Sequence, residues 1–137
     1  MRIIIAILCL LAPLLTGACV AVVPDYINFY ATKAGDGFNG VLVVQNREGY
    51  AIGPISGNLT IEVYGDSDYQ NRIFMRSFDV PSSGWSAWGV LLPLMPAWYV
   101  PTISYGDIGD NLNLSVKAIF RPTDTPEREF TAKTLVL

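Results

Sequence analysis

Histidine is absent from this chain and cysteine occurs only at Cys9 and Cys19. Without histidine the commonest general base and a usual nitrogen ligand of zinc are missing. Two cysteines, one of them inside an apolar leader, leave no pair of thiols to build a disulfide framework. No G-x-S-x-G elbow, S-x-x-K motif or phosphate-cradling G-x-x-x-x-G-K is present, so the usual nucleophile and nucleotide sites have no foothold. Charge is sparse as well, with nine Lys and Arg against twelve Asp and Glu and no basic run. Nucleic acid and anionic bilayers attract clustered Lys and Arg, and this composition argues against both as partners. No apolar run reaches the roughly 20 residues a membrane-crossing helix requires. The longest, Ile3 to Leu15, has thirteen and carries Pro13.

What is there begins with an address. Arg2 stands ahead of the apolar run, and the small residues Thr16, Gly17 and Ala18 follow it. That is the layout of a secretory signal peptide. The segment Leu15-Thr16-Gly17-Ala18-Cys19 resembles a bacterial lipoprotein box, although the leucine stands four residues before the cysteine where the tightest form has it three before. The resemblance implies that residues 1–18 are a lipoprotein-type signal peptide, that Cys19 receives a diacylglyceryl group, and that this lipid is the contact with the membrane. Two alternatives stay open: cleavage by an ordinary signal peptidase, and an uncleaved segment. Residues 19–35 read as anchor and short tether, and 36–137 as the folded domain.

The chain's positive mean hydropathy owes much to the leader, but the apolar residues of the domain recur with period two in short runs broken by Gly, Pro, Asn, Asp and Ser. This is the pattern of half-buried antiparallel strands. Leu59, Ile61 and Val63 alternate with Thr60, Glu62 and Tyr64, while Leu114, Val116, Ala118 and Phe120 do the same in the run Asn113 to Phe120. Glu127 to Val136 follows across the turn Arg121 to Pro126, whose two prolines exclude continued pairing. Gly40 to Gln45, ending in the turn Asn46 to Gly49, and Arg72 to Val80 read as two further strands. Tyr26 to Thr32 and Cys19 to Val23 are candidates for an edge strand. No helix of ten residues or more is indicated.

The motifs NLTIEVYG (58–65), RSFDV (76–80) and ISYGDI (103–108), with the arms NLSVKAIFRP and REFTAKT, resemble immunoglobulin-like and fibronectin type III-like domains of prokaryotic surface proteins. The resemblance implies an all-β fold, a seven- to eight-stranded antiparallel β-sandwich. A tryptophan between two bridged cysteines, the mark of antibody-type domains, is missing. A jelly roll or small barrel fits the same strand spacing.

Candidate sites are few. Asp66, Asp68, Asp107 and Asp110 are the acids that could pair for glycoside hydrolysis, but they lie in GDSDYQN and GDIGDN, where Asp and Asn are favoured as turn formers. Asp66, Ser67, Asp68 and Asn71 offer oxygen ligands without a full calcium-loop signature, so no metal residue is assigned. The stretch from Ser82 to Pro101 holds all three tryptophans and three prolines. It reads as an inter-sheet crossover or an exposed apolar loop, with at least one of Trp85, Trp88 and Trp98 expected in the core. As a contact surface it would present Trp85, Trp88, Leu94, Trp98 and Tyr99. Acceptor sequons for glycans stand at Asn58 and Asn113.

The expectation is a non-enzymatic, lipid-anchored module of the cell surface or periplasm, without cofactor or nucleic acid, acting through contacts with a protein of the envelope. The alternatives are a secreted subunit of a filament or fibre, and a carbohydrate-binding or carboxylate-based hydrolytic domain.

Overall fold

Alternation decides which way each strand faces. Leu59, Ile61 and Val63 are fully buried, as are Val116, Ala118 and Phe120 on the neighbouring strand, while Thr60 and Ile119 between them are not. In the computed structural model, which describes residues 23–88, 95–108 and 114–137, this pattern builds two packed antiparallel sheets. The first contains β1 (Tyr26–Ala34), β2 (Gly37–Gln45), the two-residue β3 (Ala51–Ile52), β6 (Ser86–Trp88) and β7 (Met95–Ser104). The second contains β4 (Gly57–Tyr64), β5 (Arg72–Val80), β8 (Ser115–Pro122) and β9 (Phe130–Leu135). A four-residue helix, α1 (Tyr105–Ile108), follows β7.

The order is β1-β2-β7-β6, with β3 also pairing β2, facing β5-β4-β8-β9. With the strands lettered along the chain, the first sheet runs A-B-E-D and the second C′-C-F-G, an order compatible with an immunoglobulin-like sandwich. No disulfide joins β2 to β8. Aromatic and branched residues fill that space: Phe38, Leu42 and Val44 from β2, Leu59, Ile61 and Val63 from β4, and Phe120 from β8, all buried in one cluster. The C-terminal residues fasten the sheets at one corner. Leu137 N–H donates to the Ala31 carbonyl at 3.1 Å and Lys33 N–H donates to the Leu137 carbonyl at 2.8 Å.

Two glycines are fixed by close approach. A Cβ at Gly40 would lie 2.4 Å from Phe29 Cζ, and one at Gly57 would lie 2.8 Å from the Phe120 ring and 2.4 Å from the Arg121 carbonyl oxygen. Each glycine lets an aromatic ring from the next strand lie across it and fill the missing side chain.

Two points differ from the sequence reading and one extends it. Among the described residues nine strands form where seven or eight were expected, because β3 and β6 are too short to show a period and prolines mask that of β7. The edge strand read over Tyr26 to Thr32 forms as β1, within the stretch 19–35 also read as anchor and tether, and it pairs along its whole length with β2 while burying Ile27, Phe29 and Ala31. The stretch from Ser82 to Pro101 is neither a crossover nor a loop throughout, since β7 lies inside the first sheet between β2 and β6. Pro96 and Pro101 are accommodated locally. Pairing of β2 with β7 covers Leu42↔Trp98, but Val44 and Gln45 pair with β3 instead, so Pro96 has no β2 ladder to break. Pro101 and Thr102 together face Asn39 at a register shift, the bulge position where proline is tolerated. Thr102 Oγ1 donates to Asn39 Oδ1 there at 2.7 Å.

Candidate interaction site

The second sheet ends on β5, a nine-residue strand that pairs with β4 alone among the described residues. The chain enters it through the turn from Gly65 to Asn71. Asp66 organises that turn by accepting N–H groups of Gln70 and Asn71 at 3.0 to 3.3 Å, a carboxylate doing the work expected of Asp in a turn. Tyr69 takes a left-handed backbone, φ 58°. Its ring is held edge-on to Tyr64 at 5.3 Å and lies beneath the Lys133 ammonium at 4.9 Å.

The first residue of β5, Arg72, meets a buried acid. Glu62 on β4 is 9% exposed, accepts the Tyr64 hydroxyl at 2.6 Å and takes the Arg72 guanidinium at 3.2 Å. Arg72 is half exposed, so the ion pair contributes at most about 1 kcal/mol. The hydrogen bond to Glu62, burial and the negative charge of Glu62 hold the Tyr64 phenol above its ordinary value of 10.0. Burial raises Tyr69 as well. A raised phenol favours the fold fully below about pH 10, and this contribution is lost as pH climbs through the folded-state value. Stability is therefore expected to fall above about pH 10. Tyr64→Phe should cost about 1 kcal/mol near neutrality through the lost hydrogen bond and should make that alkaline fall shallower. Urea unfolding of both proteins at about pH 7 and about pH 10.5 checks this.

Beyond Arg72 the strand offers two rows. Phe74, Arg76 and Phe78 stand opposite Val63, Ile61 and Leu59, on the core side of the sheet. Met75, Ser77 and Asp79 stand opposite Glu62, Thr60 and Asn58, on the outer side. Phe74 and Phe78 are half-buried, and Met75 is 53% exposed. Phe78 carries the Arg76 guanidinium over its ring at 5.3 Å and packs edge-on to Trp98 at 6.2 Å. Arg76 itself is exposed and makes no ion pair among the described residues. Among the described residues the edge thus combines outward backbone groups without a strand partner, two aromatic rings and a cation without a counter-charge.

The sequence-nominated residues divide. Trp85 and Trp98 are half-buried and pack against the main core. Trp85 Nε1 donates to the Pro81 carbonyl at 2.8 Å, and its ring lies where a Gly53 side chain would otherwise go. Tyr99, next along β7, is on the opposite face of its sheet and 46% exposed. It borders a small outer cluster of Val41, Val43 and Ala97, with Tyr26 and Tyr30 exposed on the same face. Trp88 is placed as the last residue of β6, and its side chain is not described. Leu94, Asn113, Asp110 and Cys19 lie outside the described residues. Asn58 is exposed on the outer face of β4, beside Thr60 and Arg121 in a shallow hollow.

Asp66 and Asp68 do not share a site with Trp85. Asp66 and Asp68 precede β5 and Trp85 follows it, so the length of that strand, roughly 26 Å, separates them. A half-open cleft of about 450 Å³ lies at the Asp66 end between Leu114, Leu135 and Leu137, but the Asp66 carboxylate is engaged by its own turn. Asp107 belongs to α1. Among the described residues no three acidic or sulfur ligands gather into a metal-holding group. Arg76 and the β5 edge were not singled out from sequence as a site. The signal that could have marked them is a charged residue falling on the core-facing phase of an otherwise aromatic strand.

No protein-family model, no curated protein and no solved structure matches this chain.

Proposed function

We propose that the chain is an exported prokaryotic surface lipoprotein whose sandwich is a binding or structural module, anchored through a lipid on Cys19 and acting through protein contacts. The observation that carries the contact half of this reading is the free edge of β5. A row of unpaired backbone N–H and C=O groups is a template for an added strand, and side chains flanking it supply selectivity. Along this nine-residue strand the backbone groups that point away from β4 have no strand partner among the described residues, with Phe74, Met75 and Phe78 accessible beside them. β1 is less available for this use, since its far end pairs with the C-terminal residues.

The anchor half rests on the pattern from Arg2 to Cys19. Expressed in a bacterial host, the mature protein is expected to begin at Cys19, to carry the added diacylglyceryl mass and to partition with membranes. Cys19→Ser should abolish the modification and release the protein to the soluble fraction. Intact mass and fractionation of the two proteins test this. A soluble, unmodified wild type would remove the anchor and leave a secreted binding domain.

A further inference from the structure

We infer that the partner strand accepted at β5 carries an acidic residue between two apolar ones, in the pattern apolar-x-acidic-x-apolar, set by Phe74, Arg76 and Phe78. This rests on the reading of β5 as a strand-accepting edge. An added strand places every second side chain on the core side of the sheet, directly beside that row. The positions flanking Phe74 and Phe78 are apolar sites. Phe78 is already backed by Trp98, so an aliphatic group there covers the exposed side of the ring.

The middle position is decided by Arg76. Its guanidinium has an aromatic contact with Phe78 and no carboxylate partner among the described residues. A neighbouring strand with an apolar residue at this point would enclose the cation and strip its water without offering a counter-charge, which is costly. A basic residue there adds repulsion. A carboxylate accepts the guanidinium fork, and the pair becomes stronger as the added strand excludes water. The same side chain therefore closes the edge to purely apolar strands and opens it to one kind of sequence, specificity by penalty as well as by attraction. On the outer row Ser77 is occupied by Thr60 Oγ1 at 2.9 Å, while the exposed Asp79 has no ion pair among the described residues and sets a separate preference for a polar or basic neighbour on that face.

The test uses the full chain carrying Cys19→Ser and three synthetic peptides, Thr-Val-Thr-Glu-Thr-Val-Thr and its versions with Val or Lys in place of Glu. Affinity is read by titration calorimetry, and the site by amide hydrogen exchange. The Glu peptide is expected to slow exchange along β5 and to bind about tenfold more tightly than the Lys peptide, with the Val peptide also weaker. Arg76→Glu should reverse the order of the Glu and Lys peptides. Arg76→Gln, a milder change that keeps the strand polar, should erase the preference without reversing it. Peptides that protect β5 equally, or an order unchanged in both variants, would overturn the acidic-partner inference and leave strand addition standing. If none of the peptides protects β5, the strand-accepting reading fails and the inference fails with it.

Discussion

Phe120→Ala is expected to lower unfolding free energy by about 3–5 kcal/mol, a third or more of what a domain of this size usually has. Phe120 is fully buried in β8 and stands in register with Leu59 of β4 and Phe130 of β9. Its ring also lies against Gly57, at the position a side chain there would need. Truncation therefore opens a cavity that the glycine beneath it cannot help to fill, and the loss falls toward the upper end of the range. No disulfide ties β2 to β8 to compensate. Phe130→Ala should cost less, because Phe130 lies on an edge strand and is already 7% exposed with Arg128 over its ring. Urea unfolding with an unchanged slope measures both. Equal losses at the two positions would mean that the core is not centred on the β4–β8 pair.

The sequence made the second sheet legible and hid half of the first. β4, β8 and β9 turn one face to the core, and β5 sets half-buried Phe74 and Phe78 on that side, so apolar residues recur with period two in all four, and their turns carry Pro, Asp and Gly. β7 has the same alternation, with Trp98, Val100 and Ile103 toward the core and Ala97 and Tyr99 away from it. Pro96 and Pro101 mask it, because a proline in a central strand is normally excluded. Only pairing information shows that β2 leaves β7 before Pro96 and that Pro101 occupies a bulge. Reading the stretch as one loop also merged Trp98 and Tyr99 into one surface, although consecutive strand residues face opposite ways. The expectation of a tryptophan in the core holds in part, with Trp85 and Trp98 half-buried against it. The β5 edge was hidden for a different reason. Whether a strand is central or terminal depends on which strands pair, and a single strand's composition does not encode that.

Arg76→Leu is expected to turn the domain from a monomer into a concentration-dependent oligomer while changing the unfolding free energy of the monomer by no more than about 0.5 kcal/mol. The side chain is exposed and unpaired, so the folded monomer loses little beyond the contact with Phe78. The edge, however, loses its only charge on the core-facing row. Phe74, a leucine at position 76 and Phe78 would then form a continuous apolar row beside the outward-pointing backbone groups of the strand. An inward-pointing charge on an edge strand is one of the devices that keep such edges from pairing with each other. In the wild type, two β5 strands meeting antiparallel about Arg76 bring two guanidinium groups together, a like-charge cross-strand pair. With leucine the same encounter buries apolar surface and completes both ladders. Sedimentation velocity at increasing concentration should show wild type as a single slow species and the variant shifting to larger ones. Arg76→Glu serves as the control, since it also places like charges opposite each other and should stay monomeric. A monomeric Arg76→Leu protein would mean that the protection lies elsewhere on the edge, with α1, which packs beside β5, the next element to alter.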